Sequence, residues 1–295
     1  DEVEKAVIGK RDILRKVMAV ILTEGGHILL EDYPGLAKTL TAKSFAQVLG
    51  LNFSRIQFTP DLLPNDITGG YLFDPNSNAF TIRKGPVFSN IVLADEINRA
   101  SPKTQSALLE AMQEKQVTLE GETYQLDNPF IVFATQNPVE YEGTFPLPEA
   151  QLDRFSVRLK IGYPDPQEEL EILESRLSRK KDDIRLETVL KEAEVAEMRA
   201  VGEDVFVDPD LQEYIIGLVN AVRNHTKVLV GISPRGSLAL LKLSRTWAAL
   251  NGRDYVLPDD IKEFIELVFP HRMILDPGIW ASEKVGLEIV REVLR

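Results

Sequence analysis

Gly35-Leu36-Ala37-Lys38-Thr39 sets a glycine, a primary amine and a hydroxyl immediately ahead of a segment with helical apolar spacing. That set suits a polyphosphate. Backbone N–H groups can approach it closely at Gly35, the Lys38 ammonium reaches its terminal phosphates, and the Thr39 hydroxyl stands beside a divalent cation. A helix starting here turns its positive end toward the same phosphates. The match to the usual phosphate loop is incomplete, because Asp32 stands where the first glycine is expected and Ala37 where the last is. A carboxylate at position 32 repels phosphate unless its side chain turns away. Taken alone, the stretch also reads as a Pro-Gly turn followed by an ordinary amphipathic helix.

A second group lies downstream, where Ile91-Val92-Leu93-Ala94 runs into Asp95-Glu96. An apolar strand ending in two carboxylates sets them where ligands collect in open α/β sheets. Asp95 is the candidate Mg²⁺ ligand, alongside Thr39, and Glu96 the group that polarises an attacking water. By itself the hexapeptide reads equally as a strand end with solvent-facing acids. Phe130 to Thr135 forms another apolar run, and Gln136-Asn137-Pro138 follows it. Asn137 is a candidate to hold the attacking water or the γ-phosphate opposite Glu96; alone it is an asparagine-proline turn. Phosphate loop and acid pair in this order point to a Mg²⁺-dependent nucleoside triphosphatase.

The elements that must position these groups follow from periodicity. Strands are expected at 27–31, 53–59, 91–94, 130–135 and 156–161, with helices at 8–22 and about 38–49. The Pro- and Gly-rich stretch 60–88 is too long for a structureless loop. Tyr71-Leu72-Phe73 and Phe80-Thr81-Ile82 read as arms of an inserted hairpin near 65–85. Gln116–Leu119 and Thr123–Leu126, flanking Glu120-Gly121-Glu122, make a second hairpin near 114–126. Beyond Gly162-Tyr163-Pro164-Asp165-Pro166 the pattern becomes helical, with segments near 167–178, 187–200, 209–224, 235–250, 258–269 and 283–294. The chain therefore divides into an α/β core, residues 1–162, and a smaller all-helical domain, residues 163–295.

Composition narrows the chemistry further. A length of 295 residues fits two domains at ~150 each. No cysteine is present, which excludes disulfides, thiolate metal sites and thiol catalysis. With 46 acidic and 34 basic residues the formal charge is −12, which disfavours nucleic acid as a partner. No apolar run is long enough to span a membrane. The opening residues Asp1, Glu2 and Glu4 are unlike a signal peptide, so a cytoplasmic location is expected. His27, His225 and His271 share no metal-ligand spacing, and Trp247 and Trp280 read as packing residues.

These segments together resemble the MoxR family of AAA+ ATPases. Pro34-Gly35-Leu36-Ala37-Lys38-Thr39 is similar to that family's phosphate loop, in which Ala37 is an expected variant and Asp32 a departure. Phe58–Pro64, Asp66–Gly69, Leu93–Ala100 and Lys103–Glu114 resemble its motifs. So do Ala134–Pro138, Pro146–Phe155, Gly231–Arg235, Gly252-Arg253 and His271-Arg272. The resemblance implies a parallel five-stranded P-loop core between helices, a helical lid, and assembly as a hexameric ring. It implies nucleotide contacts at Gly9, Pro34, Gly35, Leu36, Ala37, Lys38, Thr39, Leu40 and Arg235. Asn137 becomes a first sensor, Arg154 an arginine reaching the neighbouring subunit's nucleotide, and Arg235 a lid sensor; without the resemblance both arginines read as ordinary surface residues. It also implies chaperone-like remodelling or activation of a partner carrying a von Willebrand factor A domain. Two alternatives stand: an ATPase subunit of a metal-chelatase-like complex, and a non-hydrolysing nucleotide-binding scaffold, which the carboxylate at Asp32 keeps open.

Overall fold

The computed structural model describes residues 1–75, 78–137, 143–276, 278 and 283–295. Its elements, in chain order, begin with α1 (Arg11–Leu22), β1 (Ile28–Glu31), α2 (Lys38–Val48), β2 (Phe53–Gln57) and α3 (Pro64–Thr68). Next come β3 (Gly69–Asp74), β4 (Ala79–Lys84), β5 (Ile91–Asp95), α4 (Pro102–Glu114), β6 (Gln116–Leu119), β7 (Glu122–Gln125) and β8 (Ile131–Gln136). Then follow α5 (Glu149–Leu152), β9 (Val157–Leu159), α6 (Pro166–Arg179), α7 (Glu192–Asp204), α8 (Pro209–Arg223) and β10 (Val228–Val230). The last are α9 (Pro234–Leu250), α10 (Pro258–Val268), β11 (Ile274–Leu275) and α11 (Glu283–Val293).

Five strands form a parallel sheet in the order β2-β5-β8-β1-β9. Ile91 to Ala94 and Ile131 to Ala134 are wholly buried, as continuous apolar runs must be in a sheet covered on both faces. Phe53 pairs with Ile91 and Ile91 with Ile131, so the three strands start level, and β8 runs one residue past the ends of β2 and β5. Asn90 secures that start. Its side chain accepts from the Asn52 N–H at 3.0 Å and donates to the Pro129 carbonyl at 3.1 Å, and its own carbonyl accepts from the Ile131 N–H at 2.7 Å.

The two insertions are antiparallel hairpins, β3–β4 and β6–β7. The Glu120-Gly121 connection has φ of +48° and +89°, the double left-handed turn that matches strand twist in a two-residue loop. A hydrogen-bonded cluster brings the hairpins together: the Tyr71 and Tyr124 hydroxyls lie 2.7 Å apart, and each donates to the Glu122 carboxylate.

The chain resolves into two compact units, residues 1–15, 29–146 and 160–195 in the first and 16–28, 147–159 and 196–295 in the second. In the second unit Leu240, Leu243, Phe264 and Phe269 are buried, and Trp247 packs edge-on against Phe264 at 5.5 Å. Trp280 lies outside the described residues. Among its described residues from 196 onward this unit is helical apart from an isolated Phe206–Tyr255 bridge and a short ribbon in which β10 and β11 pair antiparallel. In the first unit, the segment expected as a helix from 187 remains extended until α7 begins at Glu192. The reason is tertiary: the Val189 and Leu190 N–H groups donate to the Val48 carbonyl, and the Thr188 hydroxyl to that of Gln47, so the stretch caps the end of α2.

Asn90→Ala deletes two hydrogen bonds to backbone groups, one of them buried, and is expected to cost about 2 kcal/mol. Urea unfolding followed by far-ultraviolet circular dichroism should show the midpoint fall accordingly.

Candidate active site

The shared strand register determines what meets at the carboxyl edge of the sheet. Ala94 pairs with Ala134, so the next residues, Asp95 and Thr135, stand side by side. The Thr135 hydroxyl donates to Asp95 Oδ1 at 2.6 Å and accepts from the Glu96 N–H at 2.8 Å. On the other flank Gln57 pairs with Asp95. Arg55 and Gln57 are two apart in β2 and therefore share a face. Arg55 donates twice to Asp95 Oδ2, at 2.7 and 3.1 Å, while Gln57 donates to Glu96 Oε2 at 2.8 Å. Arg99 adds an ion pair to the same Glu96 oxygen at 3.2 Å. Glu96 adopts a left-handed backbone, φ +56° and ψ +50°, a conformation costing a non-glycine residue about 1 kcal/mol. The Thr135 bond and the two side-chain partners hold it there.

The opposite wall is the turn from β1 into α2. Gly35, at φ +82°, has nothing within 4 Å of where a Cβ would stand. Ala37 is left-handed at φ +52°, ψ +18°, which explains why glycine is usual at this position of a phosphate loop. No side chain caps α2. Its first-turn N–H groups therefore lack the side-chain oxygen that Ser101 gives α4, Asp165 gives α6 and Asp208 gives α8. An uncapped start of this kind suits a phosphate.

Asp32 resolves the objection raised by its carboxylate. It is buried, with Oδ2 accepting from the Gly162 N–H at 2.7 Å and Oδ1 from the Tyr33 N–H at 3.0 Å. The side chain is turned away, and the Asp32 backbone carbonyl instead accepts from Lys38 Nζ. Burial pushes the Lys38 amine below its ordinary pKa, and the carboxylates of Asp32, Asp95 and Glu96 oppose that shift.

Between these walls lies a cleft of about 370 Å³, within the range of small-ligand pockets. Pro34, Gly35, Leu36, Ala37, Lys38, Thr39 and Leu40 line one side, with Asp95, Glu96, Thr135 and Asn137 on the other. All of them belong to the first unit. Among the described residues no three His, Cys, Asp or Glu side chains converge as a ready-made metal site. Thr39 and Asp95 both line the cleft, a hydroxyl and one carboxylate of the kind that can hold Mg²⁺ together with a substrate's phosphates. Gly9 is not among the lining residues; it sits at φ +75° against Glu168, which with the Tyr163 carbonyl accepts from Lys10 Nζ. Arg154 and Arg235 belong to the second unit, Arg154 half-buried after α5 and Arg235 exposed in the first turn of α9.

Comparison with known proteins agrees with this geometry. Residues 27–157 match the family described as "ATPase family associated with various cellular activities (AAA)", and residues 220–293 match the AAA lid domain. The chain is 41% identical to chaperone MoxR1 of Mycobacterium tuberculosis, over 100% of this chain and 79% of that protein. It is 30% identical to protein MoxR of Methylorubrum extorquens, over 100% of this chain and 91% of that protein. This chain belongs to the MoxR family of AAA+ ATPases. A crystal structure of a protein from Cytophaga hutchinsonii superposes with a TM-score of 0.91 at 44% identity, covering 100% of this chain and 92% of that one. YeaC of Bacillus subtilis is 48% identical over 100% of this chain and 91% of its own length.

Within this MoxR-family site, Thr135, Arg55 and Gln57 are positions that the sequence motifs do not mark. In sequence Thr135 reads only as the end of an apolar run. The alternation of polar residues at 55 and 57 beside an acid-bearing strand was the available signal for the other two.

Thr135→Val removes the hydroxyl that orients both acids while keeping the strand's shape. ATP turnover is expected to fall about 10- to 100-fold with nucleotide affinity retained, as steady-state phosphate release and equilibrium binding can measure. Ala37→Gly is expected to raise the thermal midpoint by the equivalent of about 1 kcal/mol or less, since left-handed strain is relieved and glycine's unfolded entropy offsets part of the gain. Differential scanning calorimetry reads that change.

Proposed function

We propose that the cleft binds Mg²⁺·ATP and hydrolyses it by in-line attack of water, and that turnover drives chaperone-like remodelling of a partner protein. The observation that carries this is the convergence of Lys38, Thr39, Asp95, Glu96, Thr135 and Asn137 on one cleft beside an uncapped helix start. In this reading the first-turn N–H groups of α2 and Lys38 hold the β- and γ-phosphates. Thr39 and Asp95 hold Mg²⁺, which when bound neutralises charge on the phosphate oxygens. Glu96 orients and polarises the water, its carboxylate steered by Gln57, and Asn137 holds water or γ-phosphate from the far side.

The remaining steps involve the assembled ring. Arg154 acts on the nucleotide of an adjoining protomer in a hexamer, where a guanidinium stabilises charge developing on the transferred phosphoryl group. Arg235 links the state of the γ-phosphate to the lid, residues 163–295, and Gly9 lies beside the base. The substrate is a cytoplasmic protein carrying a von Willebrand factor A domain. Support for a protein substrate comes from the likeness to a relative described as a chaperone, at 41% identity. The likeness to the magnesium-chelatase subunit ChlI homolog of Methanocaldococcus jannaschii is lower, 27% over 64% of this chain.

Glu96→Gln is expected to retain Mg²⁺·ATP binding and lose turnover by at least about 100-fold, the scale of one positioned acid–base group. The same variant serves as a trap in affinity capture from the native lysate. A von Willebrand factor A domain protein retained with ATP and released with ADP supports the assignment. Recovery of chelatase subunits instead, or wild-type turnover by the variant, overturns it.

A further inference from the structure

A guanidinium has five N–H donors, and Arg272 spends most of its own on one short stretch of the second unit. Nε donates to Asp153 Oδ1 at 2.8 Å. Nη2 donates to the Phe155 carbonyl at 2.6 Å and the Asp153 carbonyl at 3.4 Å, and Nη1 to the Ser156 carbonyl at 3.1 Å. Nη1 also reaches the Val268 carbonyl at 2.5 Å, which anchors the group to the end of α10. The residues on both sides of Arg154 are thereby gripped by a single buried side chain. Burial lowers the Arg272 pKa to about 10, with Asp153 opposing, so the guanidinium remains charged at neutral pH.

A second observation joins α9 to the same group. Ser233 occupies the N-cap of α9 but makes no side-chain capping bond. A serine there ordinarily stabilises the helix by accepting from the first-turn N–H groups. Its hydroxyl instead donates to Asp153 Oδ2 at 2.9 Å. Asp153 thus has one oxygen on Arg272 and the other on the residue two before Arg235. Close by, a Cβ on Gly236 would come 3.0 Å from Arg272 Cδ and 2.5 Å from Ile232 Cγ2, so α9 passes the guanidinium stem without room for a side chain.

We propose that Arg272, Asp153 and Ser233 form a positioning bracket that sets the turn carrying Arg154 and the helix start carrying Arg235 in one fixed relation, so that neither arginine reorients without the other. The proposal rests on the functional reading of Arg154 and Arg235 given above. Lysine cannot replace Arg272, because an ammonium has three donors and no planar fork to span Asp153, Phe155 and Ser156 at once.

The test uses the whole chain with Ser233→Ala, Ser233→Thr, Arg272→Lys, Arg154→Ala and the Ser233→Ala/Arg154→Ala pair. ATP turnover is followed across concentrations that span self-association, with nucleotide Kd and thermal midpoint measured alongside. Ser233→Ala and Arg272→Lys should each lower kcat about ten-fold or more, as a misplaced group does, with Kd and KM unchanged. Ser233→Thr, which keeps the hydroxyl, should restore the rate. The double variant should lose less than the product of the two single losses, because part of the Ser233 effect runs through Arg154. Normal kcat in Ser233→Ala while Arg154→Ala is inactive overturns the bracket, as do losses that multiply in the double variant. Normal turnover in Arg154→Ala is a different result and overturns the role of Arg154 itself. Because Ser233→Ala deletes one hydroxyl outside the buried ion pair, it keeps the proposal testable even if Arg272→Lys fails to fold.

Discussion

The 2.6 Å hydrogen bond from Thr135 to Asp95 is where the sheet becomes chemistry. It exists because β5 and β8 are parallel, start level and contain the same number of residues before their polar ends. A slip of one residue would move every side chain to the other face. Asp95 and Glu96 would then lose the hydroxyl that accepts one backbone N–H and donates to one carboxylate. Asn90 supports this at the far end of the strands, three bonds to backbone holding β2, β5 and β8 to a common starting line. The apolar runs between contribute burial; the polar groups at either end specify register.

The phosphate-binding wall is arranged the opposite way, by withholding partners. Helices α4, α6 and α8 are capped by Ser101, Asp165 and Asp208, whereas α2 begins without a side-chain cap and after a left-handed Ala37. An unsatisfied helix start is costly in a folded chain unless a ligand satisfies it. Asp32 would be a poor neighbour for an anion, yet its two oxygens are engaged by the Gly162 and Tyr33 N–H groups. The loop therefore presents a carbonyl to Lys38 and keeps the carboxylate behind it.

Charge is handled differently again in the second unit. Arg272 is almost wholly buried, and a buried cation is tolerable only when paired and fully hydrogen-bonded. Asp153 and a row of carbonyls meet that requirement. Such a network contributes little net stability compared with apolar packing, but it tolerates few alternative geometries.

Much of this protein was legible in one dimension. Lys38, Thr39, Asp95 and Glu96 were identifiable because phosphate loops and strand-end acids are local patterns, written in consecutive residues whose backbone geometry follows from glycine, apolar runs and turn residues. The five core strands and both hairpins were legible for the same reason, their periodicities being short-range. What neighbours in sequence could not specify was pairing between strands, and so the roles of Thr135, Arg55 and Gln57 emerged only from register. The orientation of the Asp32 carboxylate depended on Gly162, 130 positions away. The extended segment before α7 was likewise decided by carbonyls at the end of α2, which outcompeted its local helical pattern. The sequence by itself determined which groups were available and on which kind of element; the tertiary structure decided which of them touch, because hydrogen bonds between distant segments depend on strand register and buried packing that no local propensity encodes.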